Sequence, residues 1–300
     1  MTNINSPLVL FVYRRPNYTS EILKIIEKIE FDNLYVVADG PKKPQEKDIT
    51  EKVRNEVCES NIDANIYKNY SEKNLGLRKR FASGLEWVFS NEDRAIILED
   101  DIRPNISFFK FCDTLLDYYE GDNRIWDITG VNHIGKWCVN DFSYHFSYHG
   151  SMWGWATWKD SWKKYDKNMK KWDYEISKQA IKNVLCNRRQ YEYVKKVYEK
   201  TFNKEIDTWD YQWGFTRQVN NGLSVVPSVN LVKNVGVGSR ATNTYTSNTL
   251  MPKNSFEIKT PLRHPFFVAP DRDYDGRVHN LRSQSSLYNF LQKAISIISS

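Results

Sequence analysis

The sequence predicts an α/β fold, a mostly parallel sheet flanked by helices, with an aromatic-rich second half. Three observations predict it. Over the first 130 residues, short apolar runs alternate with segments of helical periodicity. The runs are near-continuously apolar, as in strands covered on both faces, rather than alternating. Turn formers such as Asp39-Gly40-Pro41 separate them.

In chain order, PLVLFVY (7–13) reads as a buried strand. Ile22, Leu23, Ile25, Ile26 and Ile29 then recur at helical spacing, with Thr19 or Ser20 placed to cap the start. NLYVVADGPKKP (33–44) is a second strand closing in a turn, followed by a charged helix over 45–60. ANIYKNY is a third strand, NLGLRKRFASGLEWVFS a glycine turn opening a helix, RAIILEDDI a fourth strand and ISFFKFCDTLLDYYE a helix. Beyond 130, IWDITGVN reads as a strand and YHGSMWGWATWKDSWKKYD as an aromatic loop entering a helix. Residues 174–202 are helical, DTWDYQWGFTRQVNNG is a helix ending at Gly222, and LSVVPSVNLVKNVG has strand character. We divide the chain into a nucleotide-sized binding half (1–130), a second half of the same domain (131–280) and an amphipathic C-terminal helix (281–300).

Composition narrows the function classes. At 300 residues with 40% hydrophobic and 27% charged side chains the chain is globular and needs no disulfide staples. Four scattered cysteines without a C-x-x-C pair suit a reducing compartment and give no zinc knuckle. The first residues lack the basic start and apolar length of a secretion signal, and no run approaches the roughly 18 apolar residues of a membrane span. The formal charge of +6 suits a phosphate-bearing ligand or an anionic membrane surface. No nucleic-acid recognition motif is present. Nine of the ten tryptophans fall between Trp126 and Trp213. They suit either a tryptophan-rich core or indole walls for sugar C–H faces.

The fourth strand runs from Ile96, Ile97 and Leu98 straight into Glu99, Asp100 and Asp101. Adjacent carboxylates repel and need solvent, a partner or a cation. Strand alternation puts Glu99 and Asp101 on one face and turns Asp100 away. Two acids on one face at a strand end suit a hard cation, Mn²⁺ or Mg²⁺, with open positions for phosphate oxygens. Arg14 and Asp39 end neighbouring strands, where ligands of such sheets sit.

FVYRRPNYT, VVADGPK, NLGL and LEDD, in that order, carry a resemblance. The chain resembles GT-A fold nucleotide-sugar glycosyltransferases over about residues 7–270, with the N-acetylglucosaminyltransferase I type and its bacterial relatives nearest in pattern. The resemblance implies Asp101 as the direct metal ligand, with Glu99 and Asp100 toward ribose, donor sugar or metal-bound water. It implies Asp39 on the nucleobase, expected to be uracil, and Arg14 near the nucleoside or diphosphate. Arg78 is a further candidate for the diphosphate. The plainer alternatives are an Asx turn at Asp39, a solvated Arg14-Arg15 pair and a solvent-facing Arg78.

WGWATW, shared with the bacterial relatives, makes Trp153 and Trp155 acceptor-binding candidates, with Trp209 beside the acidic stretch EIDTWDYQW. There the resemblance implies a general base: Asp210, held between Trp209 and Tyr211 where partial desolvation raises basicity, or else Asp207. The chain reads ATNT where the relatives carry ATHT, so Asn243 replaces an expected histidine and His264 is the substitute metal candidate. Arg240 with Gly236 and Gly238 suits a lid over the diphosphate.

The resulting expectation is a metal-dependent, inverting glycosyltransferase taking a UDP-sugar to a glycan or lipid-linked glycan acceptor. The resemblance places it in bacterial surface polysaccharide synthesis, lipopolysaccharide or capsule, in the cytoplasm with at most peripheral membrane association. A sugar nucleotidyltransferase and a non-catalytic carbohydrate-binding protein are the alternatives. The first should carry a glycine-rich loop after the first strand, and YRRPNY has no glycine.

Overall fold

The computed structural model describes residues 2–236, 252 and 254–282. Gly238, Arg240, Asn243 and the amphipathic stretch 284–300 lie outside the described residues.

Eight strands form one sheet. They are β1 (Leu8–Val12), β2 (Asn33–Ala38), β3 (Asn65–Tyr70), β4 (Arg94–Glu99), β5 (Ile125–Thr129), β6 (Tyr144–Ser147), β7 (Trp155–Trp158) and β8 (Leu223–Pro227), in the spatial order β3-β2-β1-β4-β7-β5-β8-β6. The helices are α1 (Pro16–Ile26), α2 (Lys47–Cys58), α3 (Leu77–Val88), α4 (Ile106–Tyr118), α5 (Lys159–Trp162), α6 (Glu175–Val184), α7 (Arg188–Phe202) and α8 (Asp210–Val219). This is a Rossmann-like α/β fold.

The β3-β2-β1-β4 half is parallel throughout, as the near-continuous apolar runs of β1, β2 and β4 predict; the edge strand β3, NIYKNY, has no buried residue. The other half is mixed: β7 runs antiparallel to both β4 and β5, and β6 antiparallel to β8. Trp155–Trp158 therefore corrects the sequence reading, because this stretch is a central strand rather than a loop. The sheet is continuous across the boundary at 130, so the two halves share one core.

Alternation along β1 sorts that core into two layers. Leu8, Leu10 and Val12 join α1, α2 and α4 on one face, while Val9 and Phe11 join α3 and the tryptophans on the other. α1 starts at Pro16, whose missing N–H costs nothing at a first helical position. Thr19 does not cap it; its hydroxyl donates back to the Arg15 carbonyl at 3.0 Å. Among the described residues no helix is long and apolar enough to cross a membrane.

Candidate functional site

Because β1, β2 and β4 are parallel, their carboxyl ends open on one edge. β4 stops at Glu99, and Asp100 and Asp101 form a turn before the short strand Ile102–Pro104. The turn breaks strand alternation, so Asp100 is not directed away from Asp101 as predicted. Both meet Arg15: Nη2 lies 2.6 Å from Asp100 Oδ1 and Nη1 lies 2.8 Å from Asp101 Oδ2. Asp100 is 1% exposed, and its Oδ2 has no hydrogen-bond partner among the described residues. Burial pushes the Asp100 carboxyl up to about 6, with Arg15 pulling the other way. Glu99 is partly open to solvent. Burial first, then the charge of Asp101, moves it well above the usual carboxylate range; Asp100 and Asp210 add to this and Arg15 opposes.

Residues 234–236 lie across this cluster. The Val235 N–H donates to the Asp101 carbonyl at 2.9 Å, and the Tyr18 hydroxyl donates to the Val235 carbonyl at 3.1 Å. A Cβ on Gly236 would fall 2.1 Å from Asp101 Oδ2 and 2.8 Å from Arg15 Nη1. Only glycine lets the chain pass so near the ion pair.

Asp210 opens α8, close enough for its charge to act on Glu99. Its Oδ1 accepts the Tyr211 N–H at 3.0 Å and the Thr208 hydroxyl. Asp210 is exposed, so the desolvation expected from its aromatic neighbours is absent. Asp207 is also exposed and faces Arg78 Nη2 at 3.4 Å, which ties the start of α3 to the approach to α8.

Trp209 anchors this arm. Its ring stacks on Phe81 of α3 at 3.6 Å and on Trp155 of β7 at 5.6 Å. Trp209 and Trp155 are 3% and 0% exposed, which corrects their assignment to acceptor binding: neither indole can reach a ligand. Trp126, Trp162, Trp172 and Trp213 are buried as well, so the tryptophan enrichment is mainly a core. Trp153 is partly buried, edge-on to His133 at 6.5 Å. Gly154 adopts φ +70°, with the side chains of Val232 and Ile102 packed against it.

Asp39 makes no Asx turn, because the residue two positions on is Pro41 and has no N–H; its carboxylate bonds to the next residue and to the NLGL turn instead. Oδ1 accepts the N–H groups of Gly40 and Leu75, both at 2.9 Å; Oδ2 accepts Gly76 N–H at 3.0 Å and Asn74 Nδ2 at 3.1 Å. Four bonds fill a carboxylate's acceptor capacity. Asp39 therefore clamps the NLGL turn at the head of α3, and a nucleobase would have to displace one of these partners. Arg14 pairs with Glu46 and lies over the Tyr13 ring at 4.9 Å, away from the acids. The strand-end arginine on the cluster is Arg15, which sequence reasoning left as half of a solvated pair.

His264 is not at the site. Its Nδ1 is 2.7 Å from the Tyr144 hydroxyl and its ring stacks on Tyr118 at 4.0 Å. Tyr118 ends α4, whose 13 residues span about 18 Å from the end nearer the acids. A metal role for His264 at Asp101 is thereby corrected.

The donor set fits a hard divalent cation: carboxylate oxygens throughout, one of them buried and unpartnered. Three acids face one guanidinium, and the upward shifts of Glu99 and Asp100 reflect burial together with that incomplete compensation. Among the described residues no three ligating side chains are gathered into a ready cage, since Arg15 draws Asp100 and Asp101 onto itself.

No family model matches the chain, and no curated protein does. Solved structures do match it. One is UDP-glucose pyrophosphorylase complexed with UDP-glucose, aligned over 78% of this chain and 94% of that one with TM-score 0.37 and 6% identity. The likeness is too distant to bear on the chemistry.

Proposed function

We propose that this chain is a metal-dependent, inverting glycosyltransferase. It moves a sugar from a UDP-sugar to a glycan or lipid-linked glycan acceptor in bacterial surface polysaccharide synthesis. The observation that carries this reading is the under-compensated acid cluster Glu99-Asp100-Asp101 at the strand ends, with Asp210 near enough for its charge to act on Glu99. A diphosphate is anionic and would be repelled by acids that one guanidinium does not fully offset, so a donor needs added positive charge there. Asp101, with Asp100 or Glu99, would hold Mn²⁺ or Mg²⁺, which when bound would supply the positive charge that a departing nucleoside diphosphate needs.

Asp210 is the base. Its Oδ1 is fixed by Thr208 and its own helix start, which leaves Oδ2 directed to no described partner and free to take the acceptor proton. Asp207 is the second candidate; its contact with Arg78 is long and exposed, so it too can be freed. Arg78 supports the donor diphosphate from the start of α3. The buried stack of Trp209 on Phe81 and Trp155 holds the Asp210 arm in place, as a precise site requires. Trp153 remains the candidate for acceptor contact.

The deciding experiment incubates the protein with a panel of UDP-sugars and Mn²⁺. Slow release of UDP, accelerated by an acceptor glycan, supports transfer. Pyrophosphate-dependent formation of UTP without UDP release identifies a nucleotidyltransferase instead. Binding without turnover of either kind identifies a carbohydrate- or nucleotide-binding protein.

A further inference from the structure

We infer that Arg15 is a built-in counter-cation of the donor site, one that a divalent ion must displace from Asp100 and Asp101 and that then turns to the donor diphosphate. The inference rests on the reading of the acid cluster as a cation and diphosphate site.

The surroundings of the guanidinium carry it. The guanidinium forks onto both acids at 2.6 and 2.8 Å, the geometry of strong charge-assisted pairs. Those are the carboxylates a hard cation would need, so guanidinium and ion compete for the same oxygens. The fork satisfies only part of the cluster, because Asp100 Oδ2 is buried without a described partner and Glu99 adds a third acid at the same strand end. Arg15 therefore offsets part of the cluster's charge without neutralising it, which leaves the charge balance open to a doubly charged ion.

Position makes the release possible. Arg15 immediately precedes α1 and its side chain is 26% exposed, so it can leave the acids without moving a core element. Its guanidinium carbon lies 5.6 Å from the Tyr18 ring, a cation–π surface that can hold it once the carboxylates are occupied. A guanidinium released beside a diphosphate finds a bidentate oxygen acceptor in place of the carboxylates. The glycine at 236 keeps the overlying chain off this pair: a Cβ there would touch both Asp101 Oδ2 and Arg15 Nη1.

The test separates ion affinity from donor affinity. Mn²⁺ binding is titrated by electron paramagnetic resonance on the full chain without nucleotide, for wild type, Arg15→Gln and Arg15→Lys. UDP binding is then measured calorimetrically at saturating Mn²⁺. Arg15→Gln is expected to bind Mn²⁺ roughly 10- to 100-fold tighter, the worth of the charge-assisted bonds removed, and UDP more weakly by a similar factor. Arg15→Lys keeps the charge without the fork and should fall between the two on both axes. Circular dichroism and urea midpoints establish that the variants are folded.

Unchanged or weaker Mn²⁺ binding in folded Arg15→Gln overturns the inference, making Arg15 an organiser of the acids rather than their competitor. Absence of Mn²⁺ binding in wild type and both variants also overturns it. If UDP then still binds wild type in an Arg15-dependent way, the nucleotide-sugar reading survives with Arg15 as the permanent cation. If UDP binds none of the proteins, that reading falls too.

Discussion

Two carboxylate corners sit one strand apart on either side of β1, and they are built on opposite principles. At the end of β2, Asp39 receives four hydrogen bonds, three of them from backbone N–H groups. At the end of β4, Asp100 is buried with one oxygen on Arg15 and the other on nothing described, beside two more acids. The first corner is closed: its charge is spent on holding the NLGL turn. The second is open: its unmet capacity is available to a ligand. Occupying a strand end does not make a carboxylate functional. What distinguishes the two is whether the protein itself satisfies the acceptor lone pairs.

Asp210 lies near the open corner, and its substitution should have the largest effect. Asp210→Asn is expected to lower the transfer rate roughly 10²–10⁴-fold with donor affinity unchanged, measured by single-turnover kinetics beside calorimetry. Should Asp207→Asn give that pattern while Asp210→Asn stays active, the two roles are exchanged.

Trp209, behind Asp210, belongs to the closed kind of environment. Trp209→Ala should destabilise the fold by about 3–5 kcal/mol in urea unfolding, with activity tracking the folded fraction. A stably folded variant with only a raised acceptor KM would return Trp209 to the acceptor site.

The same isosteric change at the two corners sharpens the contrast. Asp39→Asn replaces an acceptor with a donor facing the N–H groups that Asp39 now satisfies, and should cost about 2–4 kcal/mol. Asp100→Asn removes a buried, under-paired charge and should be neutral or stabilising above pH 7. Equal losses at both positions would erase the distinction.

The smallest effect is in the pH dependence. The folded-state value for Asp100 is raised to about 6 from an ordinary 3.8. Its contribution to stability is thus fully present below about pH 4 and is lost as pH rises through 6. Glu99 is shifted in the same direction. The metal-free protein should lose on the order of 2–3 kcal/mol over this window, relative to Asp100→Asn. Urea midpoints collected from pH 4 to 8 measure the difference; parallel curves for the two proteins would contradict it.

The parallel half was legible because strands covered on both faces must be continuously apolar, and LVLFV, NLYVVA and RAIILE are. β7 was not, because a four-residue W-A-T-W between glycine and lysine is too short to show a period. The tryptophan enrichment was visible, yet the direction each indole faces depends on tertiary packing, and Trp155 and Trp209 face inward. The acid cluster was plain from the three adjacent letters, whereas its turn was not, since strand alternation holds only while the strand lasts. Arg14 and Arg15 are chemically identical neighbours. Which one meets the acids is decided by where β1 gives way to α1, and the YRRPN spacing does not announce it. His264 attracted a metal role by residue type alone, while α4 separates it from the acids.

The central claim is that the Glu99-Asp100-Asp101 corner is the cation-dependent donor site. Calorimetric titration of UDP into wild type and Asp101→Asn, each with Mn²⁺ and with chelator, tests it most directly. The account predicts UDP binding to wild type that requires Mn²⁺ and is lost in a folded Asp101→Asn protein. UDP affinity that is the same with chelator, or unaltered by the substitution, would contradict it.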